Sequence, residues 1–213
     1  MNSDAIQRKI YFGYKKAATF IGRPFTLYRP SDSTNPVSME NIAASDVMLS
    51  VSQETTFMKP NKYGNAVWQA LFDGNLAKVG DYLSNGKETF FVMAMPRTLP
   101  ITVIECNAVI TVVRPTQPTG RGAVGYGGEI KGTEAVLMEN WPASQLQGTK
   151  WQSNLTGLPG DERSPYWIFL LPYLPGVDIR TSDIIMFGRH RAVVSTFECS
   201  SVGWRINAGF VGA

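Results

Sequence analysis

"GDYLSNGKETFFVM" at Gly80–Met93 and "SDIIMFGRHRAVVS" at Ser182–Ser195 can be laid over each other without gaps. Asp81 then falls on Asp183, Gly86 on Gly188, Lys87 on Arg189 and Val92 on Val194. Each stretch reads as an acidic start, two apolar residues, a glycine turn with a basic residue, and a second apolar strand. Asn85-Gly86 is a strong hairpin signal because both residue types accept positive φ. Phe187-Gly188 takes the same place in the second unit. Asp81 and Asp183 open the predicted strands, where an aspartate caps a turn through nearby backbone N–H groups. An internal duplication is the economical reading, with a chance match of two ordinary hairpins as its rival.

Working outward, the first hairpin leads to "ITVIECNAVITVV" (Ile101–Val113), whose β-branched density predicts one long strand. The second hairpin runs through Ala192–Phe197 to a closing strand near "GWRINAGFV". At the other end, Ser3 and Asp4 can cap a helix that runs to about Phe20 and is stopped by Gly22 and Pro24. Its helical spacing puts Ile6, Ile10, Tyr14, Ala17 and Ile21 on one face and Arg8, Lys9, Lys15 and Lys16 opposite. The chain therefore reads as mainly β with an N-terminal α-helix and two small β-barrel or sandwich-like modules. The expected divisions are a helix at 1–25, an extended arm at 26–75, a first module at 76–116, Gly/Pro-rich connecting loops at 117–165 and a second module at 166–213. Within them, "VMLSV" (Val47–Val51) suggests a strand, "GNAVWQALFDG" (Gly64–Gly74) fits a strand or a helical turn, and a short helix is expected around Thr133–Asn140.

Composition narrows the function classes. Of 213 residues, 44% are hydrophobic and 11% aromatic, enough for packed cores. Only 17% are charged, which suits a surface covered by neighbours better than a free-swimming monomer. A net charge of +3 is too mild to demand a nucleic-acid partner. Cys106 and Cys199 lie in apolar, strand-like context and read as buried free thiols. No stretch suits a signal peptide, and the most apolar run, from Tyr166, is about half the length that spans a bilayer. A soluble protein made in a reducing cytoplasm is expected.

Chemical motifs fail one by one. Gly120, Gly122 and Gly125 spell G-x-G-x-x-G, but "PTQPT" separates them from the preceding strand and no helix can open at Tyr126-Gly127-Gly128. His190 is the only histidine and sits between Arg189 and Arg191, which excludes most metal sites and limits acid–base schemes. A pairing of His190 with either cysteine has no visible orienting group. Asp161-Glu162 lies in a turn, and carboxylates alone carry little specificity for glycoside chemistry. Asn154 heads a glycosylation sequon that an unsecreted chain does not use. No catalytic residue, metal or cofactor is expected. What remains is surface: Arg8, Lys9, Lys15, Lys16, Arg189 and Arg191 as contacts to DNA or an acidic partner, against a solvated face. Arg121, Tyr126, Trp141, Trp151 and Trp167 are candidates for a subunit interface, against ordinary core packing.

Several stretches carry a resemblance: "DAIQRKIYFGYKKAA" (Asp4–Ala18), "RPFTLYRP" (Arg23–Pro30), "PNKYG" (Pro60–Gly64), "LFDG" (Leu71–Gly74), "VGDYL" (Val79–Leu83), "VGYGG" (Val124–Gly128) and "LPGDERSP" (Leu158–Pro165). Together they resemble structural proteins of tailed bacteriophages. The last hairpin region is also similar in pattern to the closing strands of phage head–tail joining proteins, small β-barrels assembled as a ring under the portal. The resemblance implies a virion protein at the head-to-tail interface or upper tail: a connector, adaptor, stopper or nozzle ring component made in the host cytoplasm. Its partners would be copies of itself, the portal or other neck and tail proteins, and packaged DNA, with no membrane. The duplication and the long N-terminal segment depart from that pattern and leave the ring position open. A tail-tip or fibre-attachment protein is the alternative, and a cell-wall hydrolase a remote one.

Overall fold

A computed structural model of the chain describes residues 3–52, 65–116, 134–148 and 166–210. It is mainly β: helix α1 (Ser3–Ile21) precedes two closed six-stranded barrels. The first barrel holds β1 (Arg23–Tyr28), β2 (Ile42–Ser52), β3 (Val67–Leu71), β4 (Tyr82–Ser84), β5 (Thr89–Ala94) and β6 (Ile101–Cys106). The second holds β7 (Ala108–Arg114), β8 (Ala135–Gln147), β9 (Tyr166–Leu171), β10 (Ile184–Phe187), β11 (His190–Ser200) and β12 (Gly203–Phe210).

The two barrels have one topology. Around the first the order is β1-β2-β3-β6-β5-β4, and around the second β7-β8-β9-β12-β11-β10, all antiparallel. Register agrees ladder by ladder. Leu27 opposes Leu83 as Val112 opposes Ile185. Val51 opposes Ala70 as Gln145 opposes Phe169. Val103 opposes both Val92 and Trp68, as Ala208 opposes both Val194 and Trp167. Even the bulges recur: β2 bulges with Asp46 at φ 56° and β8 with Asn140 at φ 54°. A left-handed residue there re-aims the strand so that the sheet can close. The hairpin match read from sequence is one corner of a repeat that covers twelve strands.

The boundaries move accordingly. The expected arm at 26–75 contains most of the strands that make half of the first barrel, β1, β2 and β3. The short helix expected around Thr133–Asn140 is instead strand β8 from Ala135 onward. The long strand predicted over Ile101–Val113 is two, each in its own barrel. Asn107 makes the break: its N–H donates to the Ala143 carbonyl (3.1 Å), while its side-chain amide donates to the Gln145 carbonyl (2.9 Å) and accepts the Gln145 N–H (2.7 Å). The turns also differ in detail. Asn85–Glu88 forms a four-residue loop in which only Gly86 has positive φ (82°) and Asn85 Oδ1 accepts the Lys87 and Glu88 N–H groups. In the second hairpin the turn is Gly188-Arg189, one residue later than expected.

Burial explains why these strands do not alternate. In β5, Phe90 and Val92 point into the first barrel while Phe91 points out; in β6, Ile101 and Val103 point in and Ile104 out. Phe91, Ile104, Ala66 and Tyr82 are covered by the second barrel, so both faces are apolar. At this seam the Tyr82 ring meets Trp141 edge-on at 5.9 Å, and its hydroxyl donates to the Pro142 carbonyl (2.8 Å). Trp141 Nε1 and the Glu139 N–H both donate to the Ser33 carbonyl (2.9 and 2.8 Å).

Helix α1 does for the first barrel what the first barrel does for the second. It packs on β2 and β3 and sends Tyr11 into the core beside Phe72 and Ala77. Gly74 makes room, since a Cβ there would sit 2.7 Å from the Tyr11 ring. The buried residues are Tyr11 and Ala18, neither on the predicted face; of that face Ile10, Tyr14 and Ala17 are half-buried, while Ile6 and Ile21 are exposed.

Candidate functional site

Asp81 and Asp183 are the buried charged residues of the two barrels among the described residues. Both carboxylates are almost fully buried, and both are held by an arginine from the end of the barrel's first strand. Arg29 Nε and Nη2 donate to the two Asp81 oxygens at 3.0 and 2.7 Å, with Nη2 also reaching the Leu76 carbonyl at 3.1 Å. Arg114 repeats this on Asp183 at 2.8 and 2.8 Å, with Nη2 on the Asp178 carbonyl at 2.6 Å. Each aspartate also accepts the N–H three residues earlier, from Lys78 or Arg180, so the predicted turn caps are present. The hydrogen bonds to aspartate raise both guanidinium pKa values, against burial acting the other way. With three hydrogen bonds each and almost no exposed surface, these carboxylates act as barrel clasps. The arginines are what sequence reading missed, being 52 and 69 residues away.

The remaining polar candidates are also structural or isolated. His190 stacks near Phe187, ring centroids 5.5 Å apart, at the second hairpin. Cys106 is partly buried, and the apolar surroundings push its thiol up, with Glu105 adding to the effect. Cys199 is exposed, contrary to the buried thiol expected. It lies in β11 beyond the bulge at Val194/Thr196, a stretch with no counterpart in β5, which ends at Ala94. Among the described residues no cluster of His, Cys, Asp and Glu could hold a metal ion, and no helix is long and apolar enough to cross a membrane. Gly120–Gly125, Asn154 and Asp161-Glu162 lie outside the described residues.

The expected interface aromatics divide three ways. Trp141 is fully buried and belongs to the seam between barrels, so it cannot face another subunit. Trp167 is half-buried and packs edge-on against Phe187 at 6.2 Å. It is the counterpart of Trp68, whose Nε1 donates to Glu105 (2.9 Å). Arg121, Tyr126 and Trp151 lie outside the described residues.

The expected cations fall on two different barrels. On α1, Lys15 is drawn to Asp73 (3.1 Å) and Arg8 Nε reaches back to the Asp4 carbonyl (3.4 Å). Lys9 and Lys16 are exposed on the outer side of the helix. In the second barrel Arg191 pairs with Glu134, and Arg189 stands exposed on the hairpin turn. Helical spacing aligns Lys9, Phe12, Lys16 and Phe20 along the outside of α1, where Phe12 is 66% and Phe20 79% exposed. A second feature is a cleft of about 410 Å³ where the Asp32–Ser33 segment passes β8 and the loop before β10. Apolar Val136, Leu137, Leu174 and Val177 line it together with Asp32 and Asp178. Comparison with protein-family models, curated proteins and solved structures returned no match.

Proposed function

We propose that the chain is a structural subunit of a tailed-bacteriophage particle, a ring component at the head-to-tail interface or upper tail that works by packing rather than turnover. The observation that carries this reading is the outer face of α1. A terminal element that caps a stack of repeats keeps a polar outer side when the stack ends there. Here the capping helix presents Phe12 and Phe20 outward. A helix that already buries one face and shows aromatics on the other suits a subunit covered again by a neighbour. The resemblance of the chain to phage structural proteins supplies the setting. Arg189 is an exposed cation that suits packaged DNA or an acidic portal rim, and Lys9 and Lys16 suit an acidic partner surface.

Particles produced without this protein test the reading. Full heads lacking tails, and multiple copies of the chain at the neck of complete particles, are the expected result. Tailed particles that fail only to adsorb would move the protein to the tail tip, and its absence from mature particles would end the proposal.

A further inference from the structure

The outer stripe of α1 and the cleft between the β1–β2 connection and the second barrel are complementary surfaces on one chain. The stripe runs Lys9, Phe12, Lys16, Phe20, and Asp4 is the only acidic residue of the helix. The cleft is lined by apolar Val136, Leu137, Leu174 and Val177, by the carboxylates of Asp32 and Asp178, and by Arg114, whose charge the Asp183 clasp already holds. Asp32 is held ionised by the Thr34 hydroxyl and N–H, which donate to it at 2.6 and 2.9 Å. Asp178 shares its charge with Arg180 (2.7 Å) in an exposed pair that a second cation can join.

We infer that the Lys9–Phe12–Lys16–Phe20 face of α1 seats in the Asp32/Asp178 cleft of a second copy of this chain. The inference rests on the ring reading above, of which it names the contact. The occupant is a second copy because the aromatic knobs match the apolar lining and the two lysines match the two carboxylates. Duplex DNA presents mainly phosphate to a straight helix face, which answers the lysines but gives the two phenyl rings no apolar floor without kinking the duplex. The two surfaces share no residue, so the contact is heterologous: each copy gives its helix to one neighbour and its cleft to the other. Such contacts repeat into a ring when the rotation closes. The duplication serves the same end within the chain, where the flank of the first barrel already covers the second as α1 covers the first.

The test is carried out on the full chain in a Cys199→Ser background. With Lys16→Cys and Asp32→Cys in the same chain, mild oxidation is expected to give a ladder of cross-linked species beyond the dimer. Either cysteine alone can give at most dimers. Separately, Lys16→Glu or Asp32→Lys is expected to weaken self-association about tenfold in sedimentation, and combining the two to restore it. Phe12→Ser with Phe20→Ser should weaken it about thirtyfold or more. All five side chains changed are at the surface, and circular dichroism confirms folding of each variant. No ladder beyond the dimer, or no rescue by the combined charge swap, overturns the seat. So does a monomeric chain that binds anionic vesicles or duplex DNA through the same four helix residues. The two readings fail separately: a missing ladder with the chain located in a collar leaves the collar standing, whereas a chain absent from particles leaves the ladder standing.

Discussion

Asp81 and Asp183 occupy the same place in two barrels of one chain, and each is clasped bidentately by the arginine that ends its barrel's first strand. The clasp joins the start of β4 or β10 to the end of β1 or β7, the point at which each barrel closes. Bidentate arginine is the geometry best suited to this, because its planar fork fixes both oxygens at once.

Removing one partner should therefore open a barrel. Asp183→Ala leaves Arg114 without its carboxylate and the Arg180 N–H without its acceptor, and should cost about 2–4 kcal/mol. Asp81→Ala should do the same in the first barrel. Arg114→Lys should recover part of the charge but not the fork. Urea unfolding of the three variants checks this, and equal stability to the parent would show that the clasps are dispensable.

Gly80 and Ser182 also coincide, both with positive φ (92° and 73°). Only the first is a glycine, so the second barrel carries strain that the first avoids. Ser182→Gly should stabilise by about 1 kcal/mol, and Gly80→Ser should destabilise by a similar amount. Thermal unfolding of the pair should show shifts of opposite sign.

The seam predicts coupling. Trp141→Ala removes a fully buried indole that contacts Tyr82 and donates to Ser33, at about 3–5 kcal/mol. Because the lost contacts join the barrels, calorimetry should show one cooperative transition in the parent broadening or splitting in the variant. Tyr82→Phe should be milder, about 1–2 kcal/mol, since it strands only the Pro142 carbonyl.

The two thiols should react at very different rates. Burial holds the Cys106 thiol protonated, whereas Cys199 is open to solvent. A thiol-reactive dye should label one site per folded chain and two in denaturant. Cys199→Ser should abolish the fast site, and rapid double labelling of the folded parent would contradict the burial of Cys106.

Acid should loosen α1. Burial acts to raise the Asp73 carboxyl, but hydrogen bonds from Lys15 and Asn75 together outweigh it and leave the pKa lowered. A lowered folded pKa gives stability that is complete above the unfolded value of about 3.9 and lost as pH falls through the folded one. Protection factors of the α1 amides should therefore decrease below about pH 4, before those of the β7–β12 barrel. Asp73→Asn should remove that difference, its helix being equally loose at neutral pH.

The clasping arginines show where sequence reading stops. Local pattern was enough for the helix, for both hairpins and for the turn aspartates, because backbone preference and turn chemistry act over a few residues. The hairpin repeat was legible for the same reason. It was not enough for Arg29 and Arg114, which matter only once closure of each barrel brings β1 to β4 and β7 to β10. Nor could it divide Ile101–Val113, since the apolar run is continuous and Asn107 breaks it only by bonding to β8. β1 passed for part of an arm, and β2 and β3 were legible only as isolated signals at Val47–Val51 and Gly64–Gly74, because their partners are distant strands; the outer aromatic stripe of α1 emerged only with Tyr11, not Ile6, facing the core. What the chain alone determined was the repeated local unit, whose information lies in neighbouring residues. Which surfaces the repeat buries and which it leaves open was decided by tertiary packing, because burial depends on long-range pairings that no short stretch encodes.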